Sequence, residues 1–204
     1  MPELPMFPLG TVLLPHMLLP LHIFEPRYRA LIHDVLGGDR EFGVTLIERG
    51  HEVGGGDQRA DVGTVARVEE AEELDDGRWV VLAAGTRRIR VERWLPEEPY
   101  PRAEVVELPE PPAEPGTAEL TADLEPQLRR SLAMLTELGE EGVPDTFELS
   151  DDVQRASWQA AIVMPFTPYD TQRILETDSC RERLLLTTSL VADLEEVLAF
   201  RLGD

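Results

Sequence analysis

LPMFPLGTVLLPHMLLPLHIFEPRYRALIHDVLG, running from Leu4 to Gly37, is the stretch whose reading decides the fold. Its two apolar segments are punctuated by Pro5, Pro8, Pro15 and Pro20. Proline fixes φ and donates no ladder hydrogen bond, so this density predicts strand ends and edges. Glu25-Pro26 marks a switch. Proline is pre-organised for the first helical position, and a carboxylate before it suits the positive end of a helix. Tyr28, Leu31, Ile32, Val35 and Leu36 then fall on one helical face, and Gly37-Gly38 predicts a left-handed cap. The whole reads as strand, loop, strand and helix around one core.

Downstream, Phe42 to Ile47 is a short apolar strand, and Gly50 to Asp57 a glycine-rich connection. No Gly-Lys-Ser/Thr follows those glycines, so a hairpin loop is favoured over a phosphate cradle. Val62 to Leu74 predicts a strand that turns polar, Asp75-Asp76-Gly77 a hairpin turn, and Arg78 to Ala84 the returning partner. Gly85 reads as a break before the alternating Arg88-Ile89-Arg90-Val91-Glu92, and Tyr100 to Leu108 as a last strand. Short strands at close spacing suggest a small closed or half-closed barrel.

Pro109-Glu110-Pro111-Pro112-Ala113-Glu114-Pro115-Gly116 reads as an extended, semi-rigid linker. Beyond it the strand signals stop. Helical stripes run through Leu124–Leu138, through Val153–Met164, and from Ser179 to Leu202. Between the last two, Thr167-Pro168 predicts an N-cap and first helical position. Residues 1–108 are therefore expected to form a strand-rich lobe, 109–116 a linker and 117–204 a helical bundle.

The chain has 204 residues, 42% of them hydrophobic, with 40 acidic against 19 basic side chains and a net charge of −21. All the basic residues are arginine. Without lysine there is no Ser-Lys dyad, Schiff base or Walker-type phosphate lysine. The acidity argues against nucleic-acid binding, which needs clustered positive charge. Residues 1–108 carry net −8 and residues 109–204 net −13, so the helical half is the more acidic. A single Cys180 fits a reducing compartment, and no apolar run is long enough to span a membrane. A soluble, cytoplasmic protein is expected.

Several runs resemble the Lon protease N-terminal domain and occur in its order. They are Phe7-Pro8-Leu9, Val12-Leu13-Leu14-Pro15, Leu21-His22-Ile23-Phe24-Glu25-Pro26-Arg27-Tyr28, Phe42-Gly43-Val44, Val62-Gly63-Thr64-Val65-Ala66 and Gly85-Thr86-Arg87-Arg88-Ile89-Arg90-Val91. Gln172 to Glu176 and Arg183-Leu184 extend the likeness toward the end of the chain. The resemblance implies an α+β fold: an N-terminal PUA-like β pseudo-barrel with one helix, then a C-terminal α-helical bundle. Full Lon proteases place this domain ahead of an AAA+ ATPase and a Ser-Lys peptidase, where it helps recognise substrates. The same domain in cereblon suggests adaptor use. Thr171 stands where Lon sequences often have lysine, so a role for that side chain is not carried over.

His16, His22, His33 and His51 lack metal-ligand spacing with one another or with Cys180, so no metal site and no cofactor are expected. Glu69-Glu70 and Glu72-Glu73 read as a solvated strand end. Glu25 is expected to cap its helix or pair with Arg27 or Arg88. Arg87, Arg88, Arg90 and Arg93 form the basic cluster, and alternation puts Arg88 and Arg90 on one face. Either they neutralise nearby carboxylates or they bind those of a partner. The leading expectation is a non-enzymatic module that binds polypeptide through Phe24, Glu25, Arg27, Tyr28, Arg88 and Arg90. The alternatives are an assembly or adaptor protein docking a separate partner, or a small-molecule binder with an inter-lobe pocket.

Overall fold

The computed structural model describes residues 2–49, 58–140, 142–144 and 146–203. The expected glycine-rich loop and His51 lie outside the described residues. The chain divides into two compact units, Met1–Pro109 and Glu110–Asp204.

The first unit contains β1 (Glu3–Leu9), β2 (Leu18–Ile23), α1 (Pro26–Leu36), β3 (Glu41–Arg49), β4 (Gln58–Glu73), β5 (Trp79–Trp94) and β6 (Arg102–Glu107). Its sheet is mixed, in the order β2-β5-β4-β3-β1-β6, with an additional β5–β6 pairing. β1 runs parallel to β3, and the other pairs are antiparallel. This corrects the expected PUA-like pseudo-barrel, although the α+β class stands. That expectation rested on many short strands. Instead β4 and β5 are 16 residues each, and the two halves of β5 take different neighbours. Trp79–Ala84 pairs with β2, and Ile89–Trp94 with β6.

Gly85 does not break β5. It lies where the strand passes the Leu13-Leu14 backbone: an added Cβ would sit 2.2 Å from the Leu14 carbonyl oxygen. Glycine here marks close backbone approach rather than strand termination. The Gly85 N–H donates to Met17 O, and its carbonyl accepts from His16 N–H. The β4–β5 register shifts by a bulge between Val65 and Ala66, beside this contact.

α1 begins as expected at Pro26, with Glu25 extended at the N-cap, but the Glu25 carboxylate makes no capping bond. Tyr28, Leu31, Ile32 and Val35 pack on Phe7, Leu19, Leu21, Ile23, Phe42, Val68, Val81 and Ala83. The left-handed cap predicted at Gly37 is not formed there: Gly37 is right-handed at φ −77°. Arg40 takes the left-handed conformation instead, at φ 61°. Its strain is offset by bonds from its guanidinium to Val68 O and Glu69 O, and from its N–H to Val35 O.

The second unit holds α2 (Thr117–Glu137), α3 (Val153–Ile162), α4 (Pro168–Glu176) and α5 (Cys180–Gly203). Asp152 caps α3 by accepting from Gln154 N–H and Arg155 N–H, and Thr167 caps α4 by accepting from Asp170 N–H. Leu124, Leu128, Leu132 and Leu135 of α2 meet Leu184, Val191 and Leu198 of α5, Ala160 of α3, and Met164 just beyond it. Beyond Pro109, the proline-rich segment belongs to this unit. Glu110 pairs with Arg183 at 2.6 Å, Glu114 accepts from Ser179 at 2.6 Å, and Pro111 O accepts from Gln154.

Candidate functional site

β2 delivers alternate side chains to opposite faces, so Leu19, Leu21 and Ile23 turn inward while Leu18, Pro20 and His22 face out. Where β2 hands over to α1, a cavity of about 130 Å³ opens, lined by Phe7, Leu9, Leu21, His22, Ile23, Phe24, Glu25 and Tyr28. Its floor is rigid. Tyr28 stacks on Phe7 at 4.0 Å with an 11° interplanar angle, and Phe7 leans on Phe42 at 6.1 Å. At its rim Phe24 is 62% exposed, whereas Tyr28 is buried. Phe24 is thus an exposed aromatic of the strand-rich unit that residue pattern alone does not single out.

Arg27 lies against the same corner. Its guanidinium sits 4.5 Å from the Tyr28 ring centroid, bonds Glu25 at 3.1 Å and approaches Glu97 at 3.7 Å. Glu97 also takes Arg59 at 2.6 Å, and Arg59 covers the Trp94 ring at 4.3 Å. The Glu25–Arg27 pair therefore presents balanced charge beside an apolar floor. Farther along α1, the Tyr100 hydroxyl donates to Asp34 at 2.8 Å. Burial, followed by that carboxylate, raises the Tyr100 pKa.

The structure brings Phe24, Glu25, Arg27 and Tyr28 together. Arg88 and Arg90 do not line the cavity. Arg88 is buried on β5 opposite Thr64, while Arg90 is exposed opposite Val62. Their neighbours in the basic cluster are engaged with carboxylates. Arg87 makes two bonds to Glu41, at 3.0 and 2.8 Å, and one to Glu107 at 2.6 Å; Arg93 pairs with Glu104. The Arg87 hydrogen bond holds the Glu41 carboxyl below its ordinary range. Sequence reasoning missed Phe7, Leu9, Leu21, His22 and Ile23 as cavity-lining residues. The alternation of β2 contained the signal for Leu21, but the approach of β1 is a tertiary fact.

Among the described residues no group of three His, Cys, Asp or Glu side chains is placed to hold a metal ion. Burial raises the Cys180 pKa, and the thiol faces Val153 O at 3.6 Å inside the helical unit. No helix among the described residues is long and apolar enough to cross a membrane.

The ATP-dependent protease La (LON) substrate-binding domain model matches residues 3–193. The chain belongs to that family. Lon protease 2 of Herpetosiphon aurantiacus is 31% identical over 191 residues, covering 89% of this chain and 23% of that protein. Lon protease of Brevibacillus choshinensis is 28% identical over 201 residues, covering 96% and 25%. The chain thus spans about a quarter of the length of these relatives. A crystal structure of a Lon N-terminal domain protein from Xanthomonas campestris superposes with a TM-score of 0.67 at 27% identity, covering 94% of this chain and 98% of that one. The N-terminal domain of Mycobacterium avium complex Lon protease shares the fold, with a TM-score of 0.71 at 20% identity over 94% and 99%. The matched region, residues 3–193, is thus the substrate-binding domain of the family.

Proposed function

We propose that the strand-rich unit recognises extended polypeptide, and that the cavity at the β2–α1 junction is where it does so. The observation that carries this is Phe24, a large aromatic left 62% exposed beside a preformed apolar floor. Exposed aromatics over apolar pockets anchor peptide side chains. β2 adds a second element. It stands at the end of the sheet order with β5 as its partner, and an edge strand offers backbone donors and acceptors to an incoming segment. Glu25 and Arg27 supply polar contacts at the rim, paired with each other in the free protein. Recognition is by apolar side chain and backbone. Arg90 lies apart from the cavity, and the strongly acidic composition does not suit nucleic acid. The buried single cysteine fits a cytoplasmic setting, where unfolded segments are the ligands.

The test is fluorescence anisotropy with labelled apolar peptides from an unfolded protein. Phe24→Ser is expected to weaken binding about tenfold, Arg27→Ala to weaken it less, and Arg90→Ala to leave it unchanged. Tyr28→Ala is avoided because that ring is core. Equal binding by wild type and Phe24→Ser would place recognition elsewhere, and no binding by wild type would favour an assembly role.

A further inference from the structure

The second surface lies on the other side of β2. Leu18–Ile23 of β2, Trp79–Ala84 of β5 and Arg67–Glu73 of β4 form a three-stranded antiparallel arm. Its inner face, with Leu19, Leu21, Val81, Ala83 and Val68, is covered by α1. The outer face reads in rows set by the register. Pro20 stands beside Leu82, and Leu82 beside Glu70; His22 stands beside Val80, and Val80 beside Glu72. An antiparallel sheet with one solvated face usually makes that face polar. Here Leu18 is 58% exposed and Val80 36%, Pro20 is exposed, and Leu82 is half-buried. A shallow depression of about 340 Å³ is lined by Pro20, Glu70, Ala71, Glu72, Val80, Val81 and Leu82.

Charge decides what covers it. Four carboxylates elsewhere on the sheet are matched: Glu41 and Glu107 by Arg87, Glu104 by Arg93, Glu3 by Arg102. Glu70 and Glu72 have no ion pair or hydrogen bond from their side chains among the described residues. They border the apolar row on one side. A second copy of the chain, at net −21, would bring the same carboxylates against them. We propose that this outer face is a docking surface for a basic amphipathic polypeptide segment. Its apolar side chains cover Leu18, Pro20, Val80 and Leu82, while lysine or arginine pairs with Glu70 and Glu72. Such a segment removes apolar surface from water and brings cations to Glu70 and Glu72, since Arg67, in the row of Leu18 and Ala84, is paired with Glu41. This surface and the Phe24 cavity share no lining residue, although they adjoin at His22, which lines the cavity and stands beside Val80.

The test uses the full chain and a fluorescein-labelled peptide of about fifteen residues alternating leucine with lysine, beside its leucine–glutamate counterpart. Wild type is expected to bind the lysine peptide, and more weakly as salt is raised. Glu70→Gln/Glu72→Gln should raise the Kd about tenfold, and Val80→Ser by a similar factor. Both carboxylates are exposed, so the double variant should melt as wild type does. Glu119→Gln/Asp123→Asn removes the same charge from exposed sites on α2 and should leave binding unchanged. The proposal is overturned if wild type fails to bind the lysine peptide or binds the glutamate peptide as tightly. It is also overturned if Glu70→Gln/Glu72→Gln binds like wild type, or if the α2 variant loses as much. Loss confined to Phe24→Ser would assign the peptide to the cavity and sink this surface alone.

Discussion

Arg183 shows most directly how single residues hold the helical unit. Its side chain has no solvent exposure, yet it carries a permanent charge. Its guanidinium donates to Glu110 at 2.6 Å, Ser157 Oγ at 2.9 Å, Thr177 O at 3.2 Å and Gln154 Oε1 at 3.2 Å. It also lies 3.6 Å from the centroid of the buried Trp158 ring. A buried cation is tolerated only when paired and fully hydrogen-bonded, and the planar fork of arginine reaches all four acceptors at once. Arg183→Met should destabilise the unit by about 3 kcal/mol, read as an earlier thermal transition. Glu110→Gln should destabilise as well, because it keeps a hydrogen-bonding group but leaves the fully buried Arg183 charge without its carboxylate. An Arg183→Met variant that melts with wild type would mean the cluster contributes nothing. The sequence placed Arg183 only within a two-residue likeness to a family. Its acidic partner lies 73 positions earlier, in a stretch that reads as linker, so local pattern contains no trace of the pair.

At the scale of elements, the sequence was most legible where periodicity and caps agree. α1 starts at Pro26 and buries the expected stripe, and Thr167-Pro168 opens α4 as read. It was least legible where a glycine has two meanings. Gly85 looks like a break, and that reading split one long strand into two short ones and led to a barrel. In the fold it is where β5 slides under Leu14. Gly63 does the same on β4, where a Cβ would lie 2.2 Å from Val44 O. Both obstacles are backbone carbonyls, which have no rotamer to move aside. Gly85→Ala should therefore cost about 1–3 kcal/mol through displaced backbone, visible as a lower denaturant midpoint at unchanged m-value. Gly142→Ala, which meets nothing within 4 Å, is the matched control and should be near neutral. If the two variants melt alike, the close approach is not a constraint. The candidate site follows the same division. Phe24, Glu25, Arg27 and Tyr28 are neighbours in sequence and met in space, whereas Arg88 and Arg90 were grouped by alternation alone, and burial separated them.

For the whole molecule, the question is where the helical unit begins. The run from Pro109 to Gly116 has the composition of a spacer, but composition does not show what its side chains touch. Glu110 neutralises Arg183, Pro111 O accepts from Gln154, and Glu114 receives bonds from Ser179 Oγ at 2.6 Å and Arg181 N–H at 3.1 Å. The Ser179 bond is the first cause of the lowered Glu114 pKa. Glu114 thus ties down the start of α5, where free N–H groups favour a carboxylate. A fragment covering 110–204 should therefore be more stable than one covering 117–204, by roughly 10 °C in Tm. The decisive comparison is Arg183→Met in each. In the longer fragment the substitution breaks a satisfied cluster and should destabilise. In the shorter one Glu110 is already gone, so Arg183 is a buried charge without its carboxylate, and replacing it with methionine should cost much less or stabilise. Equal losses in both fragments would show that the segment 110–116 does not interact energetically with Arg183, and that the helical unit begins at α2.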